Sequence, residues 1–137
     1  MKQAIKIETI VKGDIAKIWK FWTEPEHIMN WAFASPDWEC TNATNHLLVG
    51  GKFSSTMQAK DKSAGFDFGG RYTGIEEGKY INYILDDGRE VTTDFKEEVG
   101  CVHISQEFEP ENENPIEMQH DGWQAILDNF KKYVEAN

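Results

Sequence analysis

The stretch Asn114-Pro115-Ile116-Glu117-Met118-Gln119-His120-Asp121-Gly122-Trp123-Gln124-Ala125-Ile126-Leu127-Asp128-Asn129-Phe130-Lys131-Lys132-Tyr133-Val134-Glu135-Ala136 decides how this chain folds. Gln119, Gly122, Trp123, Ile126, Leu127, Phe130 and Val134 recur at helical spacing and form one broad, aromatic side. Asn114 is suited to cap the helix and Pro115 to open it, where a missing N–H costs nothing. Glu117 near the start and Lys131 and Lys132 near the end complement the helix dipole. A helix with so wide an apolar side needs a sheet to cover it.

The preceding residues supply that sheet. From Trp38 onward, short segments rich in aromatic and β-branched residues alternate with Gly, Asp and Asn. They predict strands over 38–45, 51–60, 66–76, 80–85, 90–97 and 101–109, joined by turns at 60–63, 77–78, 86–88 and 99–100. Connections this short exclude parallel crossovers, so the strands form an antiparallel meander. Upstream, Ile5, Ile7, Thr9 and Val11 alternate with polar residues as a first strand, and the whole N-terminal stretch from Met1 reads the same way. Asp14 caps a short helix carrying Ile15, Ile18, Trp19 and Trp22, and Thr23 with Glu26 reads as the capping box of a second. The order is β-α-α-β6-α, an α+β arrangement in one domain spanning residues 1–137.

Composition bounds the function. The chain has 137 residues, 12% of them aromatic, and a formal net charge of −10. Such a field repels phosphates and anionic headgroups, so neither nucleic acid nor a membrane surface is expected as a partner. Only Arg71 and Arg89 are arginines, and no basic stripe exists. The N-terminus carries no signal-peptide apolar stretch and no run approaches a membrane span. A reduced, cytoplasmic setting follows. Cys40 and Cys101 then read as small buried hydrophobes rather than a disulfide or a nucleophile.

Several motifs now converge. Ile18-Trp19 followed by Trp22-Thr23-Glu24-Pro25-Glu26 resembles the START-like, pollen-allergen-like helix-grip superfamily known as SRPBCC. Gly50-Gly51-Lys52-Phe53, Gly65-Phe66-Asp67-Phe68 with Gly70 and Tyr72, Asp87-Gly88-Arg89 and Asn129-Phe130 resemble its AHSA-type branch. So does the run from Asn114-Pro115 through Gln119, Gly122-Trp123-Gln124 and Ile126-Leu127. That branch is named for likeness to the C-terminal domain of the heat-shock-protein-90 ATPase activator. The resemblance implies a helix-grip fold, in which a curved antiparallel sheet wraps a long C-terminal helix. It also implies an internal pocket for lipids, steroids or polyketides, with cyclase or dehydratase activity in some members. Contact with a chaperone and a stress-response role are its further implications.

In such a fold, strand alternation turns Phe53/Ser55/Met57, Phe66/Phe68/Tyr72, Val91/Thr93/Phe95 and Ile104/Gln106/Phe108 inward. Phe53, Met57, Phe68, Tyr72, Trp123 and Ile126 are the expected apolar wall of a ligand pocket, with Gln106 and Gln119 as its polar anchor. A buried amide must find a partner, whether protein, water or ligand; a filled core with satisfied amides is the competing reading. Gly69, Gly70 and Gly74 are expected to permit curvature or a bulge, and Gly122 a close approach of the helix.

Chemistry is harder to place. No catalytic residue is assignable, and no cofactor or metal is expected. His27, His46, His103 and His120 are dispersed, and the single Glu117-x-x-His120 is half of what a di-iron site needs. No nucleophile elbow or phosphate loop occurs. Asp67, Asp94, Tyr72, Tyr83 and His103 remain as acid–base candidates. Alternation sends Asp67, Asp94 and His103 to the outer face, paired there with Arg71, Arg89 or Lys96. Trp31, Phe33 and Trp38 frame a loop that reads as a lid, a homodimer contact or core. Three functions follow in order: a non-enzymatic binder of a small hydrophobic ligand, a chaperone co-regulator, and a cyclase or hydrolase of an aromatic or polyketide substrate.

Overall fold

A computed structural model describes residues 4–137; residues 1–3, read above as part of the first strand, lie outside the described residues. The elements run β1 (Ile5–Lys12), α1 (Ile15–Thr23), α2 (Pro25–Ile28), β2 (Trp38–Asn45), β3 (Lys52–Ala59), β4 (Gly65–Glu76), β5 (Tyr80–Leu85), β6 (Glu90–Glu98), β7 (Cys101–Phe108) and α3 (Ile116–Ala136). All seven strands join one antiparallel sheet in the order β1-β7-β6-β5-β4-β3-β2. The meander β2–β7 is consecutive, and β1 closes against β7 because α1 and α2 carry the chain across the sheet's open side. This is the helix-grip arrangement, with α3 lying in the curl.

The local causes are visible in the sequence. Asp14 Oδ1 accepts from the Lys17 amide at 2.9 Å and starts α1. Gly88 and Gly100 turn their hairpins at φ 92° and 76°, a region that side chains with a Cβ avoid. Curvature is concentrated in β4. A Cβ at Gly70 would lie 2.2 Å from the Ile84 carbonyl oxygen, so only glycine lets the neighbouring backbone come this near. Two residues further on, the β4–β5 register slips between Tyr72 and Gly74, the bulge that the glycines of this segment predict.

Two helix starts differ from expectation. α3 begins at Ile116 with Pro115 as its cap, and no side chain caps it. Proline disfavours helical backbone in the residue before it, which keeps Asn114 outside. Thr23 likewise ends α1 rather than capping α2; its Oγ1 donates to Trp19 O at 2.8 Å, and Pro25 sets the start of α2 with Glu24 as cap.

The core divides along α3. Leu127, Phe130 and Val134 are fully enclosed, and Phe130 meets both Trp22 and Trp31 edge-on at 4.8 Å. Each such side chain contributes about 1.5–3 kcal/mol by leaving water. Residues 122–126, one to two turns earlier, are only half-buried. The C-terminal half of α3 therefore seals a packed core, whereas the N-terminal half roofs something that side chains do not fill.

Candidate functional site

Beneath that roof lies a cavity of about 480 Å³. Phe53, Met57, Phe68, Tyr72, Gln106, Gln119, Trp123 and Ile126, the eight residues singled out from the sequence, all line it. Strand alternation is what brings them together: β3 and β4 supply the first four, β7 supplies Gln106, and α3 faces them with the rest. Trp123 stacks on Phe108 with ring centroids 3.9 Å apart and meets Phe68 edge-on at 5.6 Å. Phe53 bridges Tyr72 and Tyr83 at 5.1 and 4.9 Å. Phe66, also turned inward, is 52% exposed and leans toward Trp38, which places it at the opening.

Gly122 corrects one expectation. No atom lies within 4 Å of where its Cβ would sit, so it makes no close approach. It leaves room on the cavity side of the helix.

The two amides have different fates. Gln119 Oε1 accepts from the Glu111 amide at 2.9 Å, and its Nε2 donates to Glu111 O and Asn114 O at 3.2 and 2.7 Å. It thus pins the loop ahead of α3, the satisfied-amide reading. Gln106 Nε2 donates to Thr93 Oγ1 at 2.9 Å, on the concave face of the sheet. Burial pushes the Tyr83 phenol well above its ordinary range, and Tyr72 adds to the shift, while the Gln106 amide and the Arg89 charge pull the other way. Burial likewise raises Tyr72, although Asn45, which accepts from its hydroxyl, partly offsets the shift.

Other polar residues stand apart from this interior. Asp67 accepts from Thr56 Oγ1 at 2.7 Å, Asp94 is exposed, and His103 Nε2 lies 3.5 Å from Glu8. All three face away from the cavity, as alternation requires, but the expected ion pairs with Arg71, Arg89 or Lys96 do not form. Arg89 is held by Asp87 in its own turn, at 2.8 Å. Trp31 resolves as core, 6% exposed, its indole N–H donating to Phe21 O at 2.9 Å. Its ring lines the inner cavity beside Trp22. Cys40 is buried, which raises its thiol pKa, and its thiol donates to Asn42 O at 3.4 Å; both cysteines are free thiols, but Cys101 is only half-buried rather than buried as expected.

Potential metal ligands group where the dispersed histidines did not predict. Glu24, Glu26 and His27 place donor atoms within 4.8 Å of one another. The imidazole is already engaged, with Nδ1 2.7 Å from Tyr133 Oη and its ring stacked on Phe21 at 4.1 Å. On α3, His120 Nδ1 lies 3.1 Å from Asp121 Oδ1.

The lining also includes Ser55, expected only as an inward residue, Tyr83, expected only as an acid–base candidate, and Trp22 and Arg89, which the sequence did not place there. Period-two alternation with Ile81 and Leu85 carried the signal for Tyr83. Ser55 follows from the same alternation that turns Phe53 and Met57 inward. The position of Trp22 depends on how α1 crosses the sheet, which no local pattern encodes.

Comparison with known proteins bears on this geometry. Residues 12–135 match the family model described as activator of Hsp90 ATPase homolog 1-like protein. The solution structure of an AHSA1-like protein from Aeromonas hydrophila is 42% identical, with a TM-score of 0.92, covering 98% of this chain and 93% of that one. A solution structure from Cytophaga hutchinsonii is 47% identical, with a TM-score of 0.82, over 97% and 92% of the two chains. A crystal structure from Chromobacterium violaceum shares the fold at 21% identity, with a TM-score of 0.85, over 98% and 99%. No curated protein matches. With nearly its whole length matched by the family model and with relatives above 40% identity, the chain belongs to the activator of Hsp90 ATPase homolog 1-like family.

Proposed function

We propose that this chain binds a small, largely apolar molecule in the cavity between the sheet and α3. The observation that carries the proposal is the cavity itself, about 480 Å³ and walled by aromatic and aliphatic side chains from β3, β4, β5 and the three helices. Its size falls within the roughly 300–1,000 Å³ typical of small-molecule sites. Phe53, Met57, Phe68, Tyr72, Trp123 and Ile126 form the apolar wall, and Gln106 is the inward amide. Binding without chemistry is favoured because Asp67, Asp94 and His103 stand on the outer face, and the carboxylate that does line the cavity, Glu111, accepts from the Asn114 amide at 2.7 Å. The two interior phenols hold their protons, which makes them poor bases.

Native mass spectrometry and thermal-shift screening against lipids and aromatic metabolites test this directly. A ligand should raise the melting temperature of the wild type. Gly122→Leu, which projects a side chain into open space, should abolish that shift while leaving the fold intact. No stabilisation by any candidate would reject the proposal.

The family's description favours a second reading, contact with a chaperone ATPase. It predicts faster ATP turnover by an Hsp90-type chaperone in the presence of this chain, and unchanged turnover at saturating protein would rule it out.

A further inference from the structure

Most polar side chains around the cavity are already committed. Asn45 accepts from Tyr72 and donates to Thr23 O at 2.6 Å, and Gln106 and Gln119 are bonded as described. Ser55 is different. It is only 8% exposed, sits on the concave face between Phe53 and Met57, and pairs across the sheet with Ala43 and Phe68. Its Oγ makes no hydrogen bond among the described residues, yet no enclosed side-chain polar atom there lacks a partner. The hydroxyl therefore opens onto the cavity, between the apolar side chains of Phe53 and Met57.

Charge narrows what can meet it. Arg89 is the cation of the lining, and its charge is already paired: Nε donates to Asp87 at 2.8 Å and Nη1 to Glu109 O at 3.3 Å. Glu111 lines the cavity too, and the whole chain carries −10. A carboxylate entering here would shed its hydration and meet only an arginine whose charge Asp87 already balances, beside the like charge of Glu111. A hydroxyl or carbonyl would lose far less water and regain a hydrogen bond from Ser55.

Resting on the cavity as a ligand site, we propose that Ser55 selects molecules whose polar end is an uncharged hydrogen-bonding group over the same skeleton ending in a carboxylate. Three probes with one ring system test this: naphthalene, 2-naphthalenemethanol and 2-naphthoate, each titrated into the full chain at about pH 8, where the acid is ionised. Amide shifts of the lining residues report binding. The alcohol should bind about tenfold more tightly than naphthalene, the scale of one well-made hydrogen bond, and more tightly than the carboxylate. Ser55→Ala should reduce the alcohol to the level of naphthalene and leave naphthalene unchanged. Naphthoate binding as tightly as the alcohol, or an alcohol advantage that survives Ser55→Ala, overturns the selection by Ser55 while naphthalene binding preserves the cavity as a site. Binding by none of the three removes both.

Discussion

Tyr72 and Tyr83 show how single residues report on the interior. Both phenols have their pKa raised, chiefly by burial, so the folded chain keeps protons that the unfolded chain releases above the ordinary tyrosine value of about 10. Stability from these groups is complete below that pH and falls as pH rises beyond it. In an alkaline titration, the absorbance step removed by Tyr83→Phe should coincide with loss of the fold. A step that completes while circular dichroism is still native would contradict the enclosure. Gln119 acts at the same scale by another route, since one amide holds both Glu111 and Asn114. Gln119→Ala should cost about 1–2 kcal/mol in urea denaturation, from several modest hydrogen bonds lost together. An unchanged midpoint would mean that the loop stands without it.

At the scale of elements, β1 poses a problem that α3 solves. One side of β1 pairs with β7; the other is an edge whose backbone groups invite pairing with another chain. α3 crosses that edge and bonds it with side chains. Gln124 Nε2 donates to Glu8 O at 3.1 Å, Lys131 Nζ to Ile10 O at 2.7 Å, and the Lys12 amide donates to Glu135 Oε2 at 2.9 Å. Positions 124, 131 and 135 share one helical flank, which is why three polar residues serve alternate positions of one strand. The Lys12 amide, with Lys131 beside it, also holds the Glu135 carboxyl below the ordinary glutamate range. The bond persists above that range and is lost as pH falls through the depressed value. Glu135→Ala should therefore speed hydrogen exchange at the Lys12 amide about tenfold, a local opening rather than global unfolding. Unaltered protection there would show that the edge is covered by other means.

For the molecule as a whole, legibility followed the range of the physical signal. Strands betray themselves by period-two alternation and short turns, so β2 and β5 coincide with the segments expected from sequence, and the other strand ends differ by about a residue. The inward faces of β3, β4 and β7 followed from the same alternation, and with them five of the eight lining side chains, Gln119, Trp123 and Ile126 coming from the helical stripe. What the pattern could not carry was distance. Gly122 reads identically whether a backbone presses against it or empty space does, and only the position of the sheet decides. Gln119 likewise reads as a buried amide in either case, but its partners are loop carbonyls rather than a ligand. Surface pairs fared worst, because long side chains choose among many neighbours at little energetic difference. Among the described residues, no helix is long and apolar enough to cross a membrane.

The vacancy beside Gly122 bears on how such a chain can change over generations. Substitutions in the sheet must respect hydrogen-bonded registers, and those in the packed half of α3 must fit a filled interior. A residue swap at this one helical position meets neither constraint, and alanine there would even favour the helix by about 1 kcal/mol. Descendants of one ancestor could thus diverge in the size of molecule they accommodate through a single codon, with the scaffold inherited intact.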